Sequence, residues 1–514
     1  MFRAIQMAGL LALLATGAIP AAAAQGGDAE AIAQLIDARL QELWSERGVA
    51  PAAPADSATF LRRASLDLLG RIPTAAEARS FVREDSPKLR KATIGRMVEN
   101  SASSERLAQI LRRSWFPQTD VSPYQYLTVD TERWLTRQLQ QRTPLNQIAQ
   151  RMIAVSYVPN ETHVGAAAIP RTLIEANDHR AERMAANATG SFLGIDISCA
   201  QCHDHPFGSW TQDQFWQTAA FFTRTTTDAA TPFSLAMLKI DVPETDRHVS
   251  AQLFTGETIA AGDEAPFQSG RDAFAVWVAG NENPFFARHV VNRLWAEYFG
   301  APLVQEYDEE PDDPRLAQLL DELAGQLVQA RFDIRALSEG LVLTQAYQLG
   351  TATDSTYESG ANLFAAAKVR GMTGEQLYDS LCVSAGRPPV REDLDSTVAL
   401  RRRRDFCEQF RINSAAPERS MTQSLAMMNG VFARQLIDPD ENPTLQAMNT
   451  VPFLSARERT DALFWATLGR GPTDQERRRL QEAGMGGDDA ATRSARNADL
   501  YWILINTVEF STNH

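Results

Sequence analysis

The chain of 514 residues is 44% hydrophobic and 22% charged, an ordinary globular composition with material for two or three domains. Its net charge of −14 argues against a nucleic-acid partner, which requires a basic face, and against adsorption to anionic lipid.

Residues 1–24 read as a signal peptide. Met1-Phe2-Arg3 carries one positive charge, Met7 to Ala18 is apolar, and Ala22-x-Ala24 after Pro20 fits cleavage before Gln25. The apolar run is short for a bilayer span, so no transmembrane segment is expected after cleavage. Loss of Arg3 moves the net charge from −14 to −15. The expected location is periplasmic or cell-surface.

A first helical domain is expected over 25–224. Ile32, Leu35, Ile36, Leu40 and Leu43 recur at helical spacing. Ala50 to Ala55 is a stiff Pro/Ala linker. Asp56 or Ser57 then caps a helix through Phe60 and Leu68, which Gly70-Arg-Ile-Pro73 stops. Arg63 and Asp67, four apart on that helix, read as a solvated pair of little weight. Thr74-Ala-Ala-Glu77 is a capping box for the next helix. Further helices are expected at 87–100, 103–115, 131–142 and from Thr143-Pro144 onward, with 116–129 as a loop. Tyr157 to Pro170, which holds His163, reads as irregular. A helix from Asn177 or Asp178 runs towards Phe192, and a second capping box, Thr211-Gln-Asp-Gln214, opens another through Phe222.

Between those last two helices stands Cys199-Ala-Gln-Cys202-His203-Asp204-His205-Pro206, with half of the chain's four cysteines. Cys-x-x-Cys-His is the attachment signature of c-type haem. Thiols three positions apart on one turn reach the two vinyl groups of a single porphyrin, and the next residue places an imidazole under the iron. An exported chain agrees, because haem c is attached after export. Two other chemistries use the same residues. Cys199, Cys202 and His203 or His205, with one further ligand, make a zinc set. A Cys199–Cys202 disulfide, with Cys382–Cys407 as a second pair, would suit an oxidising compartment. For haem, the sixth ligand must come from afar, and His163, His179, Met184 and His289 are the candidates. His205 lies too near in sequence to reach the opposite ring face.

Residues 225–270, richer in Thr, Pro, Gly and Asp, read as a junction with one or two short strands such as Leu238-Lys-Ile-Asp-Val242. Helices resume over 271–514: Ala273 to Ala279, Pro284 to Phe299, Pro314 to Arg331, Ile334 to Tyr347, Gly374 to Ala385, Met421 to Phe432, Arg457 to Gly469, Thr473 to Ala483 and Ala498 to Phe510. Asp308 to Asp313 reads as a solvated acidic loop and Arg401 to Arg404 as a charged helix face or loop. Arg288, Asn292 and Trp295 share one helix face, read as packing. Trp134, Trp210, Trp216 and Trp277 read as core. The expected fold is mainly α: two helical domains joined by a short segment with minor β structure.

Taken together, these stretches resemble a known pairing of exported bacterial domains. Phe60 to Thr74, Phe192-Leu-Gly194, Cys199 to Phe207, Trp210-Thr-Gln-Asp213 and Ala219-Ala-Phe-Phe222 are similar to the planctomycete cytochrome-type domain of unknown function. Asn283 to Arg288, Val291-Asn-Arg-Leu-Trp295, Gly374 to Leu381, Thr422 to Gly430 and Asn506 to His514 are similar to its usual C-terminal partner domain of unknown function. Gln252-Leu-Phe-Thr-Gly256 stands where the family often has an Arg-Phe-Leu-Asp-Gly-like element, without the Arg and Asp. The resemblance implies an exported protein, often encoded beside surface or polysaccharide-related proteins, and no particular reaction. Two functions from different classes follow. The first is covalent haem c at Cys199, Cys202 and His203, serving electron transfer or redox chemistry with a partner protein. The second is a haem-free surface or periplasmic binding protein tied to polysaccharide handling, with Cys199, Cys202, His203 and His205 as a zinc site or a disulfide loop.

Overall fold

A computed structural model describes residues 28–155, 169–205, 208, 210–223, 238–253, 256, 269–305, 313–351, 363–389, 397–411, 420–485 and 492–514. The expected signal peptide, His163, Pro206 and Phe207, and the acidic loop before Asp313 lie outside them.

The protein is mainly α-helical. Its helices are α1 (Ala29–Arg47), α2 (Ser57–Leu69), α3 (Ala75–Glu84), α4 (Pro87–Val98), α5 (Ser101–Trp115), α6 (Thr128–Gln140), α7 (Leu145–Ala154), α8 (Thr172–Glu175), α9 (Ala181–Ala188) and α10 (Gln212–Ala220). An antiparallel hairpin, β1 (Lys239–Asp241) with β2 (His248–Ser250), follows within the expected junction. Then come α11 (Gly270–Ala279), α12 (Phe286–Phe299), α13 (Pro314–Gln329) and α14 (Ile334–Leu343). After β3 (Arg370–Gly371) the chain runs through α15 (Gly374–Ser384), α16 (Thr397–Gln409), α17 (Met421–Asn429), α18 (Val431–Ile437) and α19 (Pro443–Thr450). It ends with α20 (Ala456–Thr467), α21 (Asp474–Glu482), α22 (Arg493–Ile505), α23 (Val508–Ser511) and β4 (Thr512–Asn513), which pairs with β3.

Local chemistry sets the helix ends. Asp28 caps α1 by accepting from the Glu30 and Ala31 N–H groups, and Gly48, left-handed at φ 65°, closes it. Both expected capping boxes form, Thr74 with Glu77 and Thr211 with Gln214. One expected helix, Met421 to Phe432, is two. The chain leaves the helix at Gly430, where a Cβ would stand 2.3 Å from the Ala426 carbonyl oxygen, so only glycine fits the break.

Among the described residues two apolar clusters hold the helices together. One extends from Ile32 to Ala365. It packs α1 on α13 and α14, α5 on α6, α7 on α11 and α9 on α10, so α11–α14 share a core with the first part of the chain. The second joins Leu66 and Ile72 to residues between Met372 and Phe510. Trp134, Trp210 and Trp216 are core residues and Trp277 is half-buried against it. Trp295 stacks on Phe299 at 4.1 Å, and Asn292 fixes the backbone of Leu303 and Val304, so that helix face serves packing.

Helix α2 corrects one sequence reading. Arg63 and Asp67 are not solvated; they are 3% and 0% exposed. Arg63 donates to the Leu349 carbonyl at 2.7 Å, and Asp67 accepts from Arg370 at 2.7 Å, Tyr347 at 2.7 Å and Asn513 at 2.9 Å. Arg62, also buried, donates to the Phe510 carbonyl at 2.7 Å. Helix α2 thereby ties the first core to the C-terminal residues. Among the described residues no helix is long and apolar enough to cross a membrane.

Candidate functional site

The Cys-x-x-Cys-His stretch is delivered by an irregular descent from α9. Helix α9 passes into a π turn, Thr189–Leu193, whose Phe192 ring lies 4.9 Å from Trp115 and 6.1 Å from Phe116. Gly194 then turns the chain at φ 72°. Ile195, Ile197 and Ala200 point into the core at 0% exposure and anchor a 3₁₀ turn, Ser198–Gln201. With Ala200 inward, Cys199 and Cys202 face solvent, and both are free thiols.

The residues after the turn are strapped to α10. The Gln212 N–H donates to Asp204 Oδ1 at 2.8 Å, and Gln212 Nε2 donates to the Cys202 carbonyl at 2.9 Å. Trp216 Nε1 donates to the Gln201 carbonyl at 3.2 Å. His203 is exposed, with Nδ1 2.8 Å from the Asp204 carbonyl oxygen. A carbonyl only accepts, so a neutral His203 carries its proton on Nδ1 and keeps the lone pair on Nε2. His205 is held differently. Its N–H donates to the Trp210 carbonyl at 2.7 Å and its Nδ1 accepts from the Gly208 N–H at 2.7 Å. That occupies the Nδ1 lone pair and ties His205 to the loop.

This donor set suits covalent haem. It offers two unbridged, solvent-facing cysteines and an imidazole whose second nitrogen is oriented by a carbonyl, the arrangement that fixes a ligating histidine. Among the described residues no group of three or more His, Cys, Asp or Glu gathers to hold a metal ion. Cys382 and Cys407 are free thiols as well, the first buried and the second half-buried.

The distant ligand candidates fall in different settings. Met184 is buried in the apolar core. His179 is exposed, at φ 59°. His289, on α12, packs against the segment that leads into the turn: a Cβ on Gly194 would stand 2.5 Å from its Nδ1. Burial, with Arg293 beside it, pushes the His289 pKa down to about 4 against a hydrogen bond to the Ser191 backbone. Its Nε2 is buried with no hydrogen-bond partner among the described residues.

A second feature bordering α12, an ionic network around Glu297, gave no signal in the sequence. Burial works to raise the pKa of Glu297, but Arg106, Arg113 and Arg370 outweigh it and bring it down to about 2. Glu375, opposed by the same desolvation, is brought to about 2 by Arg113, Arg112 and Arg403. Arg403, from the run read as a charged helix face or loop, lies on a helix as expected but is buried against Asp379 at 3.0 Å. The stretches 60–74, 291–295, 374–381 and 506–514 all approach this network, although hundreds of residues separate them. Alone, each shows only a charged or amide side chain in an ordinary setting (Asn513 in the last stretch), which carries no signal of its partner.

Residues 35–227 match the family model described as PSCyt2, a protein of unknown function (DUF1549). Residues 270–401 match PSD1, a protein of unknown function (DUF1553). No curated protein and no solved structure matches the chain.

Proposed function

We propose, for a chain that belongs to the PSCyt2–PSD1 two-domain arrangement, that it is an exported carrier of haem c attached at Cys199 and Cys202, with His203 as the proximal ligand. One observation supports this most: two exposed free thiols flank a buried Ala200, and the adjoining imidazole is oriented through Nδ1. Cys199 and Cys202 would hold the haem as thioethers, each S–H adding across one vinyl C=C with no net oxidation or reduction. His203 offers the Nε2 lone pair, and the Asp204 carbonyl keeps it on that nitrogen. Gln212 and Trp216 hold the carbonyls of Cys202 and Gln201, which braces the backbone that carries the two cysteines. Bound haem supplies a one-electron carrier, so the function is electron transfer to a partner protein.

The test is expression with the native leader in a host that matures c-type cytochromes. A Soret band that stays with the polypeptide through acid–acetone extraction is expected, together with a mature N-terminus at Gln25. Replacing both Cys199 and Cys202 with Ala should abolish the covalent band. Apoprotein with no band, containing stoichiometric zinc or a Cys199–Cys202 disulfide by mass spectrometry, would sink the proposal in favour of a haem-free binding protein.

A further inference from the structure

Between α5, α12 and the β3–α15 segment lies a cleft enclosing about 740 Å³, a volume typical of sites for small organic ligands. Among the described residues nine cationic and five anionic side chains line it, in a chain whose net charge is −14. The cleft is therefore a local reversal of the molecule's charge.

The deep cations are already paired. Arg112 meets Glu132 at 2.7 Å, and Arg113 meets Glu297 and Glu375 at 3.3 Å each. Arg106 is bound to Glu297 through one nitrogen only. It is 2% exposed, yet its Nε and Nη1 have no partner among the described residues. At the rim the pairing stops. Arg293 and Lys368 have neither an ion pair nor a hydrogen bond from their side chains among the described residues. Lys368 is half-buried, and desolvation lowers its pKa, so its ammonium has lost water without gaining a carboxylate.

Geometry narrows the class of ligand. Arg293 and Gly300 lie on one face of α12 and its end, seven residues or about 10 Å apart at 1.5 Å per residue. A Cβ at Gly300 would stand 3.3 Å from the Lys368 Cβ and 3.1 Å from the Arg370 Cδ, so the absence of a side chain is what lets both cations cross the end of the helix. The two unpaired charges are thus rooted at opposite ends of one face. A single small anion can neutralise one of them, whereas a molecule with separated anionic groups can reach both.

We propose that this cleft binds a small organic polyanion bearing at least two oxyanion groups, phosphate or carboxylate, with Arg293 and Lys368 as its first contacts. The inference is independent of haem at Cys199 and Cys202. The experiment is calorimetric titration of the mature chain at low ionic strength with inorganic phosphate, tripolyphosphate and citrate. Saturable binding of tripolyphosphate or citrate at one per chain, at least tenfold tighter than phosphate, is expected. Which of the two binds tells phosphate-bearing from polycarboxylate ligands, and either supports the proposal. Arg293→Gln and Lys368→Gln should each weaken binding roughly tenfold, the scale of one charge-assisted contact, while Lys239→Gln on the hairpin changes nothing. Lys368 has no carboxylate to lose and Arg293 acts on Glu297 only through its field, with no ion pair or hydrogen bond among the described residues, so Lys368→Gln should melt as the parent does and Arg293→Gln nearly so. No saturable binding, equal affinity for phosphate and the polyanions, or unaltered affinity in both rim variants would overturn it.

Discussion

The Cys199–His205 turn and the cleft beside α12 are held by opposite means. The turn is fixed by neighbours in sequence: Asp196, Asp204, Trp210, Gln212 and Trp216 supply its hydrogen bonds, and its reactive groups face water. The cleft is fixed by residues as far apart as Asp67 and Asn513, and its charges are largely removed from water. Side chains open to solvent sit on a short, locally braced loop. Charge that must be held against desolvation requires the whole fold.

The largest test of this contrast is Asp67→Ala. The carboxylate accepts from Arg370, Tyr347 and Asn513 at 0% exposure, so its loss leaves Arg370 largely buried with no carboxylate at that position. Breaking a buried pair from one side costs roughly 3–5 kcal/mol. Urea denaturation should show a loss of that size, with the thiols of Cys199 and Cys202 as accessible to modification at low urea as in the parent. A parallel change in thiol accessibility would mean that the two regions are not independent.

Acid should separate them next. Glu297 and Glu375 have folded pKa values of about 2 against an ordinary value of 4.5, so the unfolded chain takes up their protons first. Their contribution is complete above pH 4.5 and is lost as pH falls towards 2. The melting temperature should drop steeply through that window. Glu375→Gln should flatten the drop by up to about 1.4 kcal/mol per pH unit at its steepest. His289, lowered to about 4, acts in the higher window: its neutral form favours the fold, and stability declines as pH falls from 6.5 towards 4. A melting curve independent of pH from 6.5 to 2 would contradict both.

Gly194→Ala probes the contact between the approach to the turn and α12, the helix that also borders the cleft. The residue is left-handed at φ 72°, and the new Cβ would stand 2.5 Å from His289 Nδ1. Backbone strain of 1–2 kcal/mol and displacement of His289 should together cost about 2 kcal/mol by chemical denaturation. Thiol modification at Cys199 should quicken as well, because Ile195 and Ile197 anchor the turn just after this point.

Legibility followed the same division. The two capping boxes, the motif between α9 and α10 and the short strand near Leu238 could be read from the string, because each is encoded within a few residues. Arg63 and Asp67 could not. Their four-residue spacing is equally consistent with a wet helix face, and only Tyr347, Arg370 and Asn513, brought in by the fold, bury them. Arg403 became part of a buried pair for the same reason, through Asp379 on α15. The two cores were equally hidden: periodicity marks which face of a helix is apolar, not which distant helix covers it, so the sharing of one core by α1 with α13 and α14 appeared only in three dimensions.

The smallest expected effect tests the local bracing of the turn itself. Gln212→Ala removes the side-chain bonds to the Cys202 and Gln201 carbonyls, at 2.9 and 3.4 Å, and leaves the Gln212 backbone bond to Asp204 in place. Both bonds are near the surface, so water replaces them and the cost is about 1 kcal/mol or less. Because Thr211 and Gln214 still cap α10, global unfolding should be nearly unaltered. Amide exchange at Cys202 and His203 should nevertheless quicken, since the turn loses the side-chain tether that spans it. If exchange there stayed at the parent rate, Trp216 and the retained Gln212 N–H bond to Asp204 would be sufficient to hold the turn, and its backbone would depend on α10 packing instead of on the Gln212 side chain.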